Sequence, residues 1–263
     1  MRAGFYRPGA WRLSLILLGS NLLASCASPP PQPHASDPIT WSAAIGRLDD
    51  ERDNSSCSAT LVAPDVIATA AHCVIQDGRK IDATSLTFHP NLGAAPLPSA
   101  QGVKIIAVGE DAKNPMRDEK RDIDVSADWA LVRVSPPITG VAPIAVGHFT
   151  VAEVDAVLAA GGTLSQAGYG VYGLALGQHL YQQGHCQRLT DEAMPTTMRD
   201  YVLYTSCRPI KGDSGGPLVL TKSTGEHYLV GVISGWNSRG DAARRVTLAA
   251  GALGFVRQIA RTP

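Results

Sequence analysis

The chain has 263 residues, with 23 basic and 23 acidic side chains and a formal net charge of zero at pH 7. Its 44% apolar and 17% charged residues argue against wholesale disorder, and the balanced charge argues against a dedicated nucleic-acid binder, which carries a basic surplus. With 26 glycines, 18 prolines and only 6% aromatic residues, the composition favours short strands joined by many turns.

Arg2, Arg7 and Arg12 give the N-terminus a positive flank, and Leu13–Ala24 is almost entirely apolar. A run of about a dozen residues has the length of a signal-peptide core and is too short to cross ~30 Å of hydrocarbon as a helix. It ends Leu23-Ala24-Ser25-Cys26, which resembles the lipobox of bacterial lipoproteins. That resemblance implies a signal peptide over residues 1–25, cleavage before Cys26, and acylation of Cys26 to anchor the chain in a lipid bilayer. No Asp follows the cysteine, which by the same resemblance favours the outer membrane, with the domain facing the periplasm or the exterior. An ordinary secretory peptide with an incidental cysteine is the alternative. Ser28–Pro38 is proline-rich, so residues 26–40 read as an extended tether.

With Cys26 given to lipid, Cys57, Cys73, Cys186 and Cys207 remain. Export favours disulfides, and four cysteines allow three pairings, of which Cys57–Cys73 and Cys186–Cys207 are the local ones. Zinc needs clustered Cys and His ligands, and only His185-Cys186 comes close, so no metal is expected.

Further along, the apolar runs Ala59–Ala63 and Val66–Ala68 meet at a Pro64-Asp65 turn and read as strands. The second ends in small residues and then His72; a single such histidine is ordinarily just a satisfied, partly buried side chain. Gly109–Asp124 is dense in charge of mixed sign and reads as a solvated loop. Asp128 heads the apolar run Trp129–Val134, where a lone carboxylate is commonly a turn residue. Thr150 with Glu153 suits a capping box and a short helix near 151–160, with a strand as the alternative. Ser214 lies in the turn Gly212-Asp213-Ser214-Gly215-Gly216-Pro217. Glycines there permit unusual backbone angles and let successive N–H groups converge on an anion.

Thr69-Ala70-Ala71-His72-Cys73, Asp128-Trp129-Ala130-Leu131 and Gly212–Pro217, in that order, resemble the trypsin-like (chymotrypsin-fold) serine peptidases. Cys57 fifteen residues before His72, the turn Gly168-Tyr169-Gly170, the strand Gly231–Trp236 and the closing segment 250–262 extend the resemblance from about Trp41 to the end. It implies an all-β peptidase domain over 41–263 made of two antiparallel six-stranded barrels. The first, about 41–140, would carry His72 and Asp128; the second, about 141–250, would carry Ser214; a C-terminal helix would follow at about 250–262. It also implies Ser214 as nucleophile, His72 as base, Asp128 orienting it, Ser234 supporting Asp128, and the N–H groups of Gly212 and Ser214 as oxyanion hole. A disulfide would join Cys57 and Cys73 beside His72. The implied substrate is a peptide or protein, with no cofactor and a monomeric catalytic domain. Gly212–Gly216 also fits the nucleophile elbow of α/β-hydrolases, but no alternation of long helices with strands precedes it. A latent zymogen and a catalytically silent binding module on the same fold are the rival readings.

Two features depart from the family. A gapless match puts Arg208 where trypsin has the Asp at the base of its primary pocket, which argues against cleavage after Lys or Arg. A guanidinium there suits an acidic side chain. Against that, glutamate-specific relatives carry His just before the residue matching Ser234, and here Ile233 stands there. The alternative is that Arg208 points to solvent. Lys211, Ser234 and Gly235 complete the pocket candidates. Secondly, no Ile-Val-Gly-Gly is present to furnish an N-terminal ammonium for Asp213.

Overall fold

The computed structural model describes residues 41–93, 97–109, 125–172, 175–190, 200–237 and 246–259. The expected signal peptide, Cys26, the tether to residue 40 and nearly all of the charged segment 109–124 lie outside them.

In the first half, apolar and polar side chains alternate along short runs, the period of a strand with one covered face. Leu86-Thr87-Phe88-His89-Pro90 shows it plainly: the first, third and fifth residues are buried and the other two half-buried. The strands are β1 (Ile45–Asp50), β2 (Ser55–Ala63), β3 (Val66–Thr69), the small hairpin β4 (Ile75–Gln76) and β5 (Arg79–Lys80), β6 (Leu86–Pro90), β7 (Ala100–Val108) and β8 (Ala130–Ser135). Six of them close an antiparallel barrel in the order β1-β2-β3-β8-β7-β6, with β6 pairing back onto β1. Closure buries Ile45, Leu61, Ile67, Phe88, Leu131 and Val132 completely, each worth about 1.5–3 kcal/mol relative to exposure. Phe88 is accommodated by Gly46, where a Cβ would come within 2.3 Å of the ring.

The second half contributes β9 (Thr163–Gly168), the hairpin β10 (Val171–Tyr172) and β11 (Ala175–Leu176), β12 (Tyr181–Gln183), β13 (Arg188–Leu189), β14 (Val202–Thr205), β15 (Pro217–Thr221), β16 (His227–Asn237) and β17 (Val246–Gly251). Its main sheet has seven strands in the order β12-β9-β15-β16-β17-β14-β13. The two edge strands are joined by only residues 184–187, a stretch whose reach is under about 20 Å. The sheet must therefore curl until its edges approach. His185, at φ 54°, turns the chain in that connection. The second barrel thus has seven described strands rather than six, and its seam is crossed by a turn rather than by a ladder.

Helix α1 (Val151–Ala159) begins at the expected capping box: Glu153 N–H donates to Thr150 Oγ1 at 3.3 Å, and Thr150 N–H donates to Glu153 Oε2 at 2.8 Å. It packs Val154 onto Leu164, Leu218 and Leu220 of the second sheet. The C-terminal segment differs from expectation. Residues 246–251 remain in β17, a 3₁₀ turn takes Ala252–Gly254, and the helix α2 is only Val256–Ile259. Ala249, Ala250 and Gly251 are small enough to lie as a central strand between β14 and β16, so the ladder holds them. Phe255, fully buried, then packs on Trp129 with ring centroids 5.5 Å apart, joining the cores of the two halves. No helix among the described residues is long and apolar enough to cross a membrane.

Candidate active site

Strand pairing brings His72 and Asp128 together. β3 and β8 are antiparallel, with Thr69 opposite Ala130. The residues just after Thr69 and just before Ala130 therefore emerge at the same end of the barrel. Ala70 and Ala71 have no exposed surface, and their small side chains let a tight 3₁₀ turn, Ala71–Cys73, set His72 over that end. Asp128 is 1% exposed. Its Oδ1 accepts the main-chain N–H of His72 at 3.0 Å, and its Oδ2 lies 2.8 Å from His72 Nδ1. Ser234 of β16 donates its hydroxyl to the same Oδ2 at 2.5 Å.

A buried carboxylate survives only when it is well paired. Burial pushes the Asp128 pKa upward, but the charge and hydrogen bonds of His72 and the Ser234 hydroxyl overcome it, leaving Asp128 below the usual carboxylate range. For His72, burial works against the imidazolium, and Asp128 outweighs it, so the ring titrates above its ordinary value. With Asp128 ionised, Nδ1 carries the donated proton and Nε2 is left as an acceptor.

Ser214 arrives from the second half, beside the turn that carries His72. Its carbonyl accepts the N–H of Ser58 in β2 at 2.7 Å, and it lies 3.9 Å from Cys73 Sγ. The disulfide Cys57–Cys73 ties β2 to the turn that carries His72; Cys186–Cys207 is the second disulfide. Gly215 allows the close docking: it sits at φ +84°, and a Cβ there would meet Ser58 O at 2.1 Å and Thr69 Oγ1 at 2.2 Å. Gly212 has φ +99°. The Lys211 carbonyl accepts from Val171 N–H at 2.7 Å, which turns the Lys211–Gly212 peptide so that its oxygen faces β10. The N–H groups of Gly212 and Ser214 donate to no other described residue.

The pocket candidates separate. Arg208 is exposed, with its main chain clamped by Gln183, which accepts Arg208 N–H at 2.9 Å and donates to Arg208 O at 2.6 Å. Lys211 is exposed too. A Cβ on Gly235 would face open space, as on a cleft wall, whereas the Ser234 hydroxyl is committed to Asp128. Cys57, His72 and Cys73 also cluster within metal-binding reach, but the two sulfurs are bonded to each other and cannot serve as thiolate ligands. Sequence reasoning passed over Ser58 and Gln183, and gave Thr69 no role beyond its place in the string before His72. Ser58 is fully buried between the two halves, and its only signal is its place directly after Cys57.

Barrels of this topology, with a carboxylate–imidazole pair in one half and a glycine-turn serine in the other, define a chymotrypsin-fold hydrolase. A family model described as Trypsin matches residues 30–252, and the chain belongs to that family. A crystal structure of a thermostable serine protease, AL20, from an extremophilic microorganism is similar in fold. It has a TM-score of 0.59 at 18% identity, covering 84% of this chain and 99% of that one. No curated protein matches the chain.

Proposed function

We propose that the protein is a serine endopeptidase that cleaves peptide bonds through an acyl-enzyme and is held at the bacterial envelope by acylation of Cys26. The observation that carries the chemistry is the hydrogen-bonded line Ser234–Asp128–His72, which commits Nδ1 to a carboxylate and leaves Nε2 to take a proton. A serine hydroxyl is a weak nucleophile until a base removes its proton. In this reading Ser214 Oγ attacks the scissile carbonyl carbon while His72 Nε2 takes the hydroxyl proton. Asp128 steadies the imidazolium, and the N–H groups of Gly212 and Ser214 hold the oxyanion, each donor worth about 3 kcal/mol. Collapse expels the amine, which takes the proton from His72. A water deprotonated by His72 then frees the acid and restores Ser214.

The test is a fluorophosphonate probe on the full-length chain in detergent, read by intact mass, with Ser214→Ala as control. One adduct on the parent and none on the variant is expected; equal labelling of both removes Ser214 from the reading. The envelope part is supported by the apolar run Leu13–Ala24 and the small-residue ending at Cys26. Metabolic labelling with a palmitate analogue, lost in Cys26→Ser, checks it. A latent form is the second reading, favoured by Asp213, a buried carboxylate that meets no cation among the described residues. It requires labelling only after limited proteolysis.

A further inference from the structure

We propose that Ser58 is a positioning residue that sets the oxyanion hole from the opposite barrel, an inference that rests on the peptidase reading. The direction of the Gly212 N–H depends on two peptide groups. The one before it is held by Val171 N–H on the Lys211 carbonyl, at 2.7 Å. The one after it, Gly212–Asp213, has its carbonyl held by the Ser58 hydroxyl at 2.8 Å. Gly212, at φ +99°, pays no Cβ penalty for rotating, so its own covalent structure does not fix the hole. The contacts on either side do.

The Ser58 contact is directional. Tyr169 N–H donates to Ser58 Oγ at 2.7 Å, which occupies a lone pair and leaves the hydroxyl proton for Gly212 O. The main-chain N–H of Ser58 meanwhile donates to Ser214 O at 2.7 Å. One residue of β2 therefore grips the carbonyls of both residues whose N–H groups form the hole. Ser58 is itself pinned: its carbonyl accepts Thr69 Oγ1–H at 2.8 Å, and its neighbour Cys57 is bonded to Cys73 beside His72. Donors aimed at a developing charge act only if they are held in place beforehand. Ser58 couples that aim to the strands that position the base.

Ser58→Ala removes the hydroxyl and keeps the main-chain bond to Ser214. Stopped-flow labelling of the full-length chain in detergent with a fluorophosphonate reads two quantities: the fraction of Ser214 labelled and the rate constant. A purely structural role lowers the fraction; a positioning role lowers the rate constant while the fraction stays complete. The expected slowing is about ten- to a hundredfold, below the loss of a whole oxyanion donor. Ser58→Cys, a weaker donor of similar size, should fall between, and should Ser58→Ala not fold it is judged by the same two quantities. Slowing of threefold or more at full labelling supports the proposal. Slowing under threefold, or a loss confined to the labelled fraction, overturns it. If the parent labels neither before nor after limited proteolysis, the peptidase reading fails and the proposal falls with it.

Discussion

The main-chain N–H of Ile210 donates to Asp213 Oδ2 at 2.9 Å, so the carboxylate turns back over the loop that carries it. Its other oxygen faces the Gly168-Tyr169-Gly170 turn, where a Cβ on either glycine would come within 2.6 Å of Oδ1. The loop bearing Ser214 thus folds around an acid that is 1% exposed. Burial, only partly offset by the N–H groups of Ile210 and Gly170, pushes the Asp213 pKa up to about 7.

Stability should therefore fall as pH rises from about 4 to 7. In that window the folded chain keeps a proton on Asp213 that the unfolded chain, with an ordinary carboxylate, has released. Above about 7 both states are ionised and the penalty levels off, at no more than roughly 4 kcal/mol for a shift of this size. Melting temperatures of the parent and Asp213→Asn, measured from pH 4 to 8, should diverge as pH rises, with the parent losing ground. Parallel curves would show that Asp213 has found a cation.

Activity should follow a rising limb whose midpoint lies above the usual histidine value, because only neutral His72 accepts a proton and Asp128 holds its pKa up. Asp128→Asn should lower kcat by about 10⁴-fold and move the limb to lower pH. An unmoved limb in that variant would mean another group governs it. Ser234→Ala leaves Asp128 two of its donor contacts, both from His72, and should cost far less.

The Cys57–Cys73 bond closes a loop of sequence separation 16. Replacing both cysteines by Ser should lower stability by about 3 kcal/mol and slow Ser214 labelling, since the same bond steadies the His72 turn. Calorimetry of the double variant checks the first figure; a change under ~1 kcal/mol would mean the barrel alone holds the turn.

Gly215→Ala should be among the most damaging single substitutions. The new methyl has to displace the Ser58 carbonyl and Thr69 Oγ1 at a positive φ, a combination of overpacking and backbone strain costing several kcal/mol, on the order of 3 or more. The variant should melt lower and lose probe labelling together. Full labelling in it would place the docking of Ser214 elsewhere.

The short strings were legible because each is local. Thr69–Cys73, Asp128–Leu131 and Gly212–Pro217 each place their chemistry within a few residues, and the Thr150–Glu153 cap announces α1 in the same way. Ser58 was not legible because its meaning is entirely tertiary: its hydroxyl serves Gly212 and Tyr169, more than a hundred residues away. The end of the chain misled for a related reason. Residues 250–262 resemble the family's closing helix, but Ala250 and Gly251 lie opposite Val232 and Gly231 of β16, and the ladder holds them as strand.

Asp128 is gripped from both halves, by His72 of the first and by Ser234 of the second. The carboxylate that orients His72 is therefore also a rivet between the barrels. Protonating it slackens the imidazole and the joint at one stroke. Acid should accordingly unmake the site in a single event, with loss of catalytic alignment and loosening of the halves appearing at the same pH rather than in stages.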